Sequence, residues 1–211
     1  MKREEKSKQS KAKIIQAAFS LFASKGYDAT STQDIIELSG LSRGAMYHHF
    51  KSKEEILRSL MNEIYTQTSD FLEELVADQT LSAKEKITKI IMNSGDDYMR
   101  RQLAQASWVE KVPFALLESI RNLNDYVAPQ VTKIVKQGIE NGEYTCDYPE
   151  ALSETLLFIV EIWLDPTIIK REYAEICNRF DFLYLLLQKL EVPLIDEEDI
   201  QKFKAIFKPN E

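Results

Sequence analysis

The chain has 211 residues, with 27 Lys and Arg against 34 Asp and Glu, a formal net charge of −7 and 44% hydrophobic residues. That length and balance exclude wholesale disorder and fit one domain or two small ones with a core of useful size. Only six Gly and six Pro are present, too little punctuation for an all-β chain, so helices are expected. Two cysteines, Cys146 and Cys177, are too few for a disulfide framework or a zinc site. Two reduced thiols in a cytosolic protein are preferred over a single bridge. The polar start, MKREEKSKQSKAK, lacks the apolar stretch of a signal peptide. The run Leu156–Val160 is too short to span a bilayer. A cytoplasmic protein with no membrane partner is expected.

The charge is unevenly distributed. Residues 1–58 hold 11 basic and 7 acidic side chains, a balance of +4, and the remaining 153 residues carry −11. A basic head on an acidic body implies that an anionic partner meets the head alone.

In chain order, residues 1–10 read as a flexible basic tail, 11–51 as a three-helix domain and 52–211 as a larger helical domain. Ile14, Ile15, Ala18, Leu21 and Phe22 recur at helical steps after Lys11, and Gly26 stops that helix. Thr30, Ser31 and Thr32 offer N-cap hydroxyls to a second helix. Ile35, Ile36 and Leu38 supply its apolar contacts and Gly40 ends it. Leu41 plugs the turn. Ser42 caps a short third helix, RGAMYHHF, and Ser52 with Glu55 forms a capping box for a fourth. Two short helices across a glycine-containing turn, the second polar and exposed, make a helix-turn-helix pattern, which many helical hairpins share.

Gly26 to Leu57 resembles the DNA-binding domain of the tetracycline-repressor (TetR) family of bacterial regulators. The residues that carry the likeness are Ser42-Arg43-Gly44, Tyr47, His49-Phe50 and Lys53-Glu54, and it covers about residues 10–58. The resemblance implies an all-α protein that binds double-stranded operator DNA as a homodimer and takes a small-molecule effector. It implies no enzymatic activity and no cofactor. It places the third helix in the major groove, with Arg43, Gly44, Ala45, Tyr47 and His48 toward the bases. Arg43 suits bidentate pairing with a guanine. Thr32, Ser42, Tyr47, His49 and Lys53 are the matching phosphate contacts, the first two at helix N-termini where free N–H groups favour anions. Met46 falls in step with Phe50 and reads as core, as do Ile35, Leu21 and Phe50. Adjacent His48 and His49 point about 100° apart on a helix and chelate one metal poorly, so no metal is expected.

The body continues with the fourth helix, from Ser52 to about Leu75. A segment capped by Ser82 and Glu85 follows, with Ile87, Ile91, Ser94 and Tyr98 as its stripe and Gly95 inside it. A third pattern runs from Pro113 through Val127, Val131, Ile134 and Val135 to Gly138, and Pro129 should kink or break it. Residues 141–144, NGEY, form a turn. Residues 150–192 are apolar on two faces. Tyr173, Ile176, Phe180, Leu183, Leu187 and Leu190 make one stripe; Phe182, Leu185 and Leu186 make another. Leu194 to Phe207 reads as a last amphipathic helix. Two apolar faces require two covers. An identical subunit is the economical second one, although another helix of the same chain would also serve. Phe158, Ile162, Phe180, Leu183, Tyr184 and Leu187 are the candidate interface residues.

The family likeness implies an effector pocket between the fourth and seventh helices. Tyr65, Met92, Tyr98, Trp108, Phe114 and Tyr126 are candidate wall residues, although aromatics at helical spacing also serve as plain core. Two alternatives stand beside the ligand-released repressor. One is a DNA-binding regulator without an effector. The other is a helical enzyme acting on a hydrophobic substrate, hinted at only by Asp96-Asp97, which lacks the third acid that magnesium motifs need.

Overall fold

The computed structural model describes residues 2–96, 113–166 and 168–208. Among these there are helices and no strands. The chain divides into two compact units, residues 1–67 with 102–116 and residues 68–101 with 117–211. The division falls inside the fourth helix, sixteen residues beyond the boundary expected at 51/52.

In the first unit, α1 (Lys2–Lys25) is a single 24-residue helix. The flexible tail expected over residues 1–10 is helical from Lys2 onward. The segment has no Gly or Pro, and Lys, Glu, Gln and Ala are good helix formers. Glu4 and Glu5 stand in the first turn, where they offset the positive end of the dipole. Gly26 follows with φ 85°. The Thr30 hydroxyl is buried and donates to the Gly26 carbonyl at 2.7 Å, closing the loop. Ser31 is the N-cap of α2 (Thr32–Ser39), in a reciprocal capping box with Asp34. Gly40 ends α2 in the left-handed region, φ 66°. Ser42 caps α3 (Arg43–His49), accepting from the Ala45 amide. The core of this unit joins Ile14, Ile15, Ala18 and Phe22 of α1, Ile35 and Ile36 of α2, Met46 and Phe50. Leu38, expected among these contacts, is exposed. It lies about 160° around the helix from Ile36, so α2 cannot bury both.

Helix α4 (Lys53–Ala77) begins in the first unit and ends in the second. The second unit continues with α5 (Ala83–Asp96), which runs through Gly95. Then come α6 (Pro113–Asn122), whose first residues belong to the first unit, a π-helical turn at Leu123–Val127 and α7 (Ala128–Glu140). Pro129 neither breaks nor sharply ends this run. The Ala128 amide reaches back five residues to the Leu123 carbonyl. The widened turn accommodates a ring that donates nothing and would crowd the carbonyl four residues earlier.

After α7 the chain turns through Gly142, φ 74°, and Tyr144 folds back. Its hydroxyl donates to the Val135 carbonyl at 3.0 Å, and burial pushes the phenol above its ordinary range. A Cβ on Gly138 would lie 2.5 Å from that hydroxyl, so the close approach requires glycine. Helix α8 (Pro149–Phe158) passes into a second π-helical turn, Ile159–Trp163. Helix α9 (Tyr173–Lys189) and α10 (Glu197–Ile206) complete the unit.

Ile176, Phe180, Leu183 and Leu187 of α9 are buried in this unit's core. The Phe180 ring packs on Phe203 and Phe207, with centroids 6.1 and 5.6 Å away. This corrects the expectation for Phe180, Leu183 and Leu187: all three are buried in the chain's own core and so are not free to face a partner. The second apolar face of α9 is present, and it is Phe182 and Leu185, 52% and 53% exposed, with Phe158 at 41%. Ile162 and Tyr184 are half-buried. Cys146 and Cys177 are free thiols.

Polar groups are also buried here. Lys86 is fully buried; its ammonium donates to the Val76 carbonyl at 3.1 Å and to Gln137 Oε1 at 2.7 Å. Gln137 in turn donates to the Leu81 carbonyl. This knot ties the end of α4, the start of α5 and α7 together. Lys84 pairs with Asp196 and lies 3.8 Å from Asp199, joining α5 to the start of α10.

Candidate nucleic-acid interface

Helix α3 is held from one side and open on the other. Met46 is fully buried, and Phe50, which ends the helix, is almost so. Arg43, Gly44 and His48 are exposed, and Ala45, Tyr47 and His49 are half-buried. The spacing explains this: Met46 and Phe50 share one face of a helix at i and i+4, which leaves the intervening residues outward. The five expected base contacts therefore lie on one short helix with its own core anchor.

Several of these side chains position one another. The Arg43 guanidinium stacks over the Tyr47 ring, 5.6 Å from its centroid, the i,i+4 pair of a helix face. The Thr32 hydroxyl, and then the nearby Arg43 charge, hold the Tyr47 phenol below its ordinary range. Thr32 opens α2, so the starting turn of α2 lies beside α3. His49 is held below the usual histidine range by burial, then by the charges of His48 and Lys11. A His in that state is neutral near pH 7 and offers one donor and one acceptor.

Gly44 carries a different message. A Cβ placed there would meet no atom within 4 Å, and its φ lies outside the left-handed region. Nothing inside the chain therefore calls for glycine. Glycine in a helix costs about 0.5–1 kcal/mol relative to alanine. The empty space lies at the exposed N-terminal turn of α3.

Lys53 has a role that the sequence does not announce. Its ammonium donates to the Tyr27 carbonyl at 2.6 Å and the Thr30 carbonyl at 2.9 Å. It also lies 4.2 Å from the centroid of the Tyr27 ring. It is half-buried, and burial lowers its pKa. Lys53 thus pins the α1–α2 loop to the start of α4 and has one N–H left for an outside acceptor. Lys25 pairs with Asp34 at 2.8 Å. Lys51 is exposed.

The expected pocket residues fall in both units. Tyr65 and Phe114 belong to the first unit, where the Arg58 guanidinium stands 4.2 Å from the Phe114 ring centroid. In the second unit Met92 packs against the core, whereas Tyr126 is 67% exposed on the π-helical turn. Tyr98 and Trp108 lie outside the described residues, as does Asp97 of the acidic pair. No described helix is long and apolar enough to cross a membrane.

A short N-capped helix anchored by its buried face and presenting Arg, Tyr and His outward is the arrangement of a helix-turn-helix head. Residues 14–60 match the family described as bacterial regulatory proteins, tetR family. The repressor KstR2 of Mycolicibacterium smegmatis is 25% identical over 142 residues, covering 64% of this chain and 67% of that protein. Several other curated regulators match only a quarter to a third of this chain, over a third or less of their own length. Among solved structures, Salmonella enterica GusR superimposes with a TM-score of 0.64 at 22% identity, covering 85% of this chain and 95% of that one. A gamma-butyrolactone receptor superimposes with a TM-score of 0.57 at 18% identity, covering 95% and 96%. These likenesses support a DNA-binding transcriptional regulator whose head is similar to that of the tetR family and whose fold its members share.

Proposed function

We propose that the protein is a homodimeric repressor that reads a palindromic operator through α3 and leaves it when the body takes up a small molecule. The observation that carries the DNA reading is the open face of α3. Arg43 is exposed and stacks on the Tyr47 ring, Gly44 has unfilled space beside it, and Met46 and Phe50 fix the helix beneath them. In the groove Arg43 pairs with a guanine, Gly44 and Ala45 let the helix approach closely, and Tyr47 and His48 reach neighbouring bases or sugars. Thr32, Ser42, Tyr47, His49 and the remaining Lys53 donor bind phosphates.

The dimer forms through Phe158, Phe182 and Leu185, flanked by Ile162 and Tyr184. Large apolar side chains left exposed on α8 and α9 are the kind of surface that a partner covers. The name of the similar repressor KstR2 supports repression, and the full-length likeness to a gamma-butyrolactone receptor supports a small organic effector. Met92, packed on the second unit's core, is the described candidate kept for its binding. The effector acts by preferring a dimer whose heads no longer match successive major grooves.

The test is a titration of the selected operator with wild type and Arg43→Ala. Arg43→Ala weakens the best sequence about 5- to 150-fold, equivalent to about 1–3 kcal/mol, and tolerates substitution at one base position per half-site. Unchanged affinity and unchanged base preference would refute the docking of α3.

A further inference from the structure

The helical start of α1 gives its lysines a fixed arrangement that a flexible tail would lack. Phe22, Ala18 and Ile15 form a buried stripe on α1, at steps of four and three residues. Continued toward the N-terminus by the same steps, that stripe reaches Lys11 and then Lys8. Both are exposed. The face of α1 that packs on the head's core therefore turns into a pair of cations where the core ends. The Lys11 ammonium lies 5.9 Å from the ring centroid of Phe50, the residue that ends α3. Its charge is felt at His49 on that same end of α3. Lys6 and Lys13 lie on the opposite side of the helix, and Glu4 ends the strip one turn beyond Lys8.

We infer that Lys8 and Lys11 form a second phosphate-binding strip, continuous with the His49 end of α3, that grips the DNA backbone flanking each half-site. The inference rests on the DNA reading proposed above. An α-helix places the two lysines about 4.5 Å apart along its axis, and their long stems let each ammonium reach its own phosphate. The occupant is duplex backbone, chosen by charge complementarity and by continuity with α3. The strip carries no base information: it adds affinity, footprint and salt dependence.

The test compares wild type, Lys8→Gln/Lys11→Gln, Lys6→Gln/Lys13→Gln and Lys8→Arg/Lys11→Arg on the selected operator. Affinity is measured across salt concentrations, with a backbone footprint for each protein. The Lys8/Lys11 glutamine variant is expected to keep its base preference while its log–log salt slope becomes shallower by about 2 per bound protomer. It should also lose backbone protection outside the half-sites. The arginine variant should retain both, and the Lys6/Lys13 variant should keep the footprint and most of the slope. An unchanged slope and footprint in the Lys8/Lys11 glutamine variant would overturn the strip while leaving α3 docking intact. So would an equal loss in the Lys6/Lys13 variant, because the effect would then be net charge and not a face. Failure of wild type to select any duplex would instead remove the reading beneath it.

Discussion

The two units place their polar chemistry on opposite sides. In the head, Arg43, His48, Lys8 and Lys11 are exposed and the buried groups are nearly all apolar. In the body, Lys86, Thr132, Ser153 and Asp199 are buried, and Tyr144 hides its hydroxyl against a backbone carbonyl. The head is built to present a surface to another molecule. The body spends buried hydrogen bonds on fixing how its own helices meet, which specifies their arrangement at the cost of desolvation.

The largest expected effect lies within one helix of the body. Phe180→Ala should lower unfolding stability by about 3–5 kcal/mol, because the ring is packed on two others. Phe182→Ala, two residues away, should leave intrinsic folding stability within about 1 kcal/mol but shift sedimentation toward monomer. Equal destabilisation of both by denaturant, with no change in assembly, would break the assignment of the two faces. Next comes Gly138→Ala, expected to cost about 1–3 kcal/mol in denaturant unfolding through the clash with the Tyr144 ring and hydroxyl.

The smallest effect is the most diagnostic. Gly44→Ala should stabilise the head by about 0.5–1 kcal/mol, since alanine favours the helix and finds open space. The same change should weaken operator binding. Gain of stability with loss of binding is the signature of a residue kept for a partner; loss of both, or of neither, would mean that Gly44 serves the fold or nothing.

The head was legible because its constraints are local. Ser42, Met46 and Phe50 act within one turn or two, so cap, core and exposed face follow from spacing, and the family likeness carries the rest. Two features there were not local. Lys53 meets carbonyls 23 and 26 residues earlier, and no periodicity signals that. Lys8 and Lys11 sit in an otherwise polar stretch, so their membership of the Phe22 stripe emerges only once α1 is known to begin at Lys2.

In the body the periodicity of α9 revealed two apolar faces but not which one the chain covers. That depends on α10 and the residue that ends it, where Phe203 and Phe207 meet Phe180. Pro129 marked a defect correctly, yet a π-helical turn absorbs it without breaking the rod. Lys86 gave no signal at all, because a lysine in an amphipathic helix ordinarily faces water.

The central claim is that α3 reads sequence. It is tested most directly by selecting duplexes from a random pool with wild type and with Arg43→Ala. The account predicts that wild type enriches a palindrome whose half-sites are centred about one helical turn, or a multiple of it, apart. Arg43→Ala should lose preference at one symmetric pair of positions within that palindrome. Enrichment of no sequence by wild type, or the same enriched sequence at undiminished preference with Arg43→Ala, would contradict it.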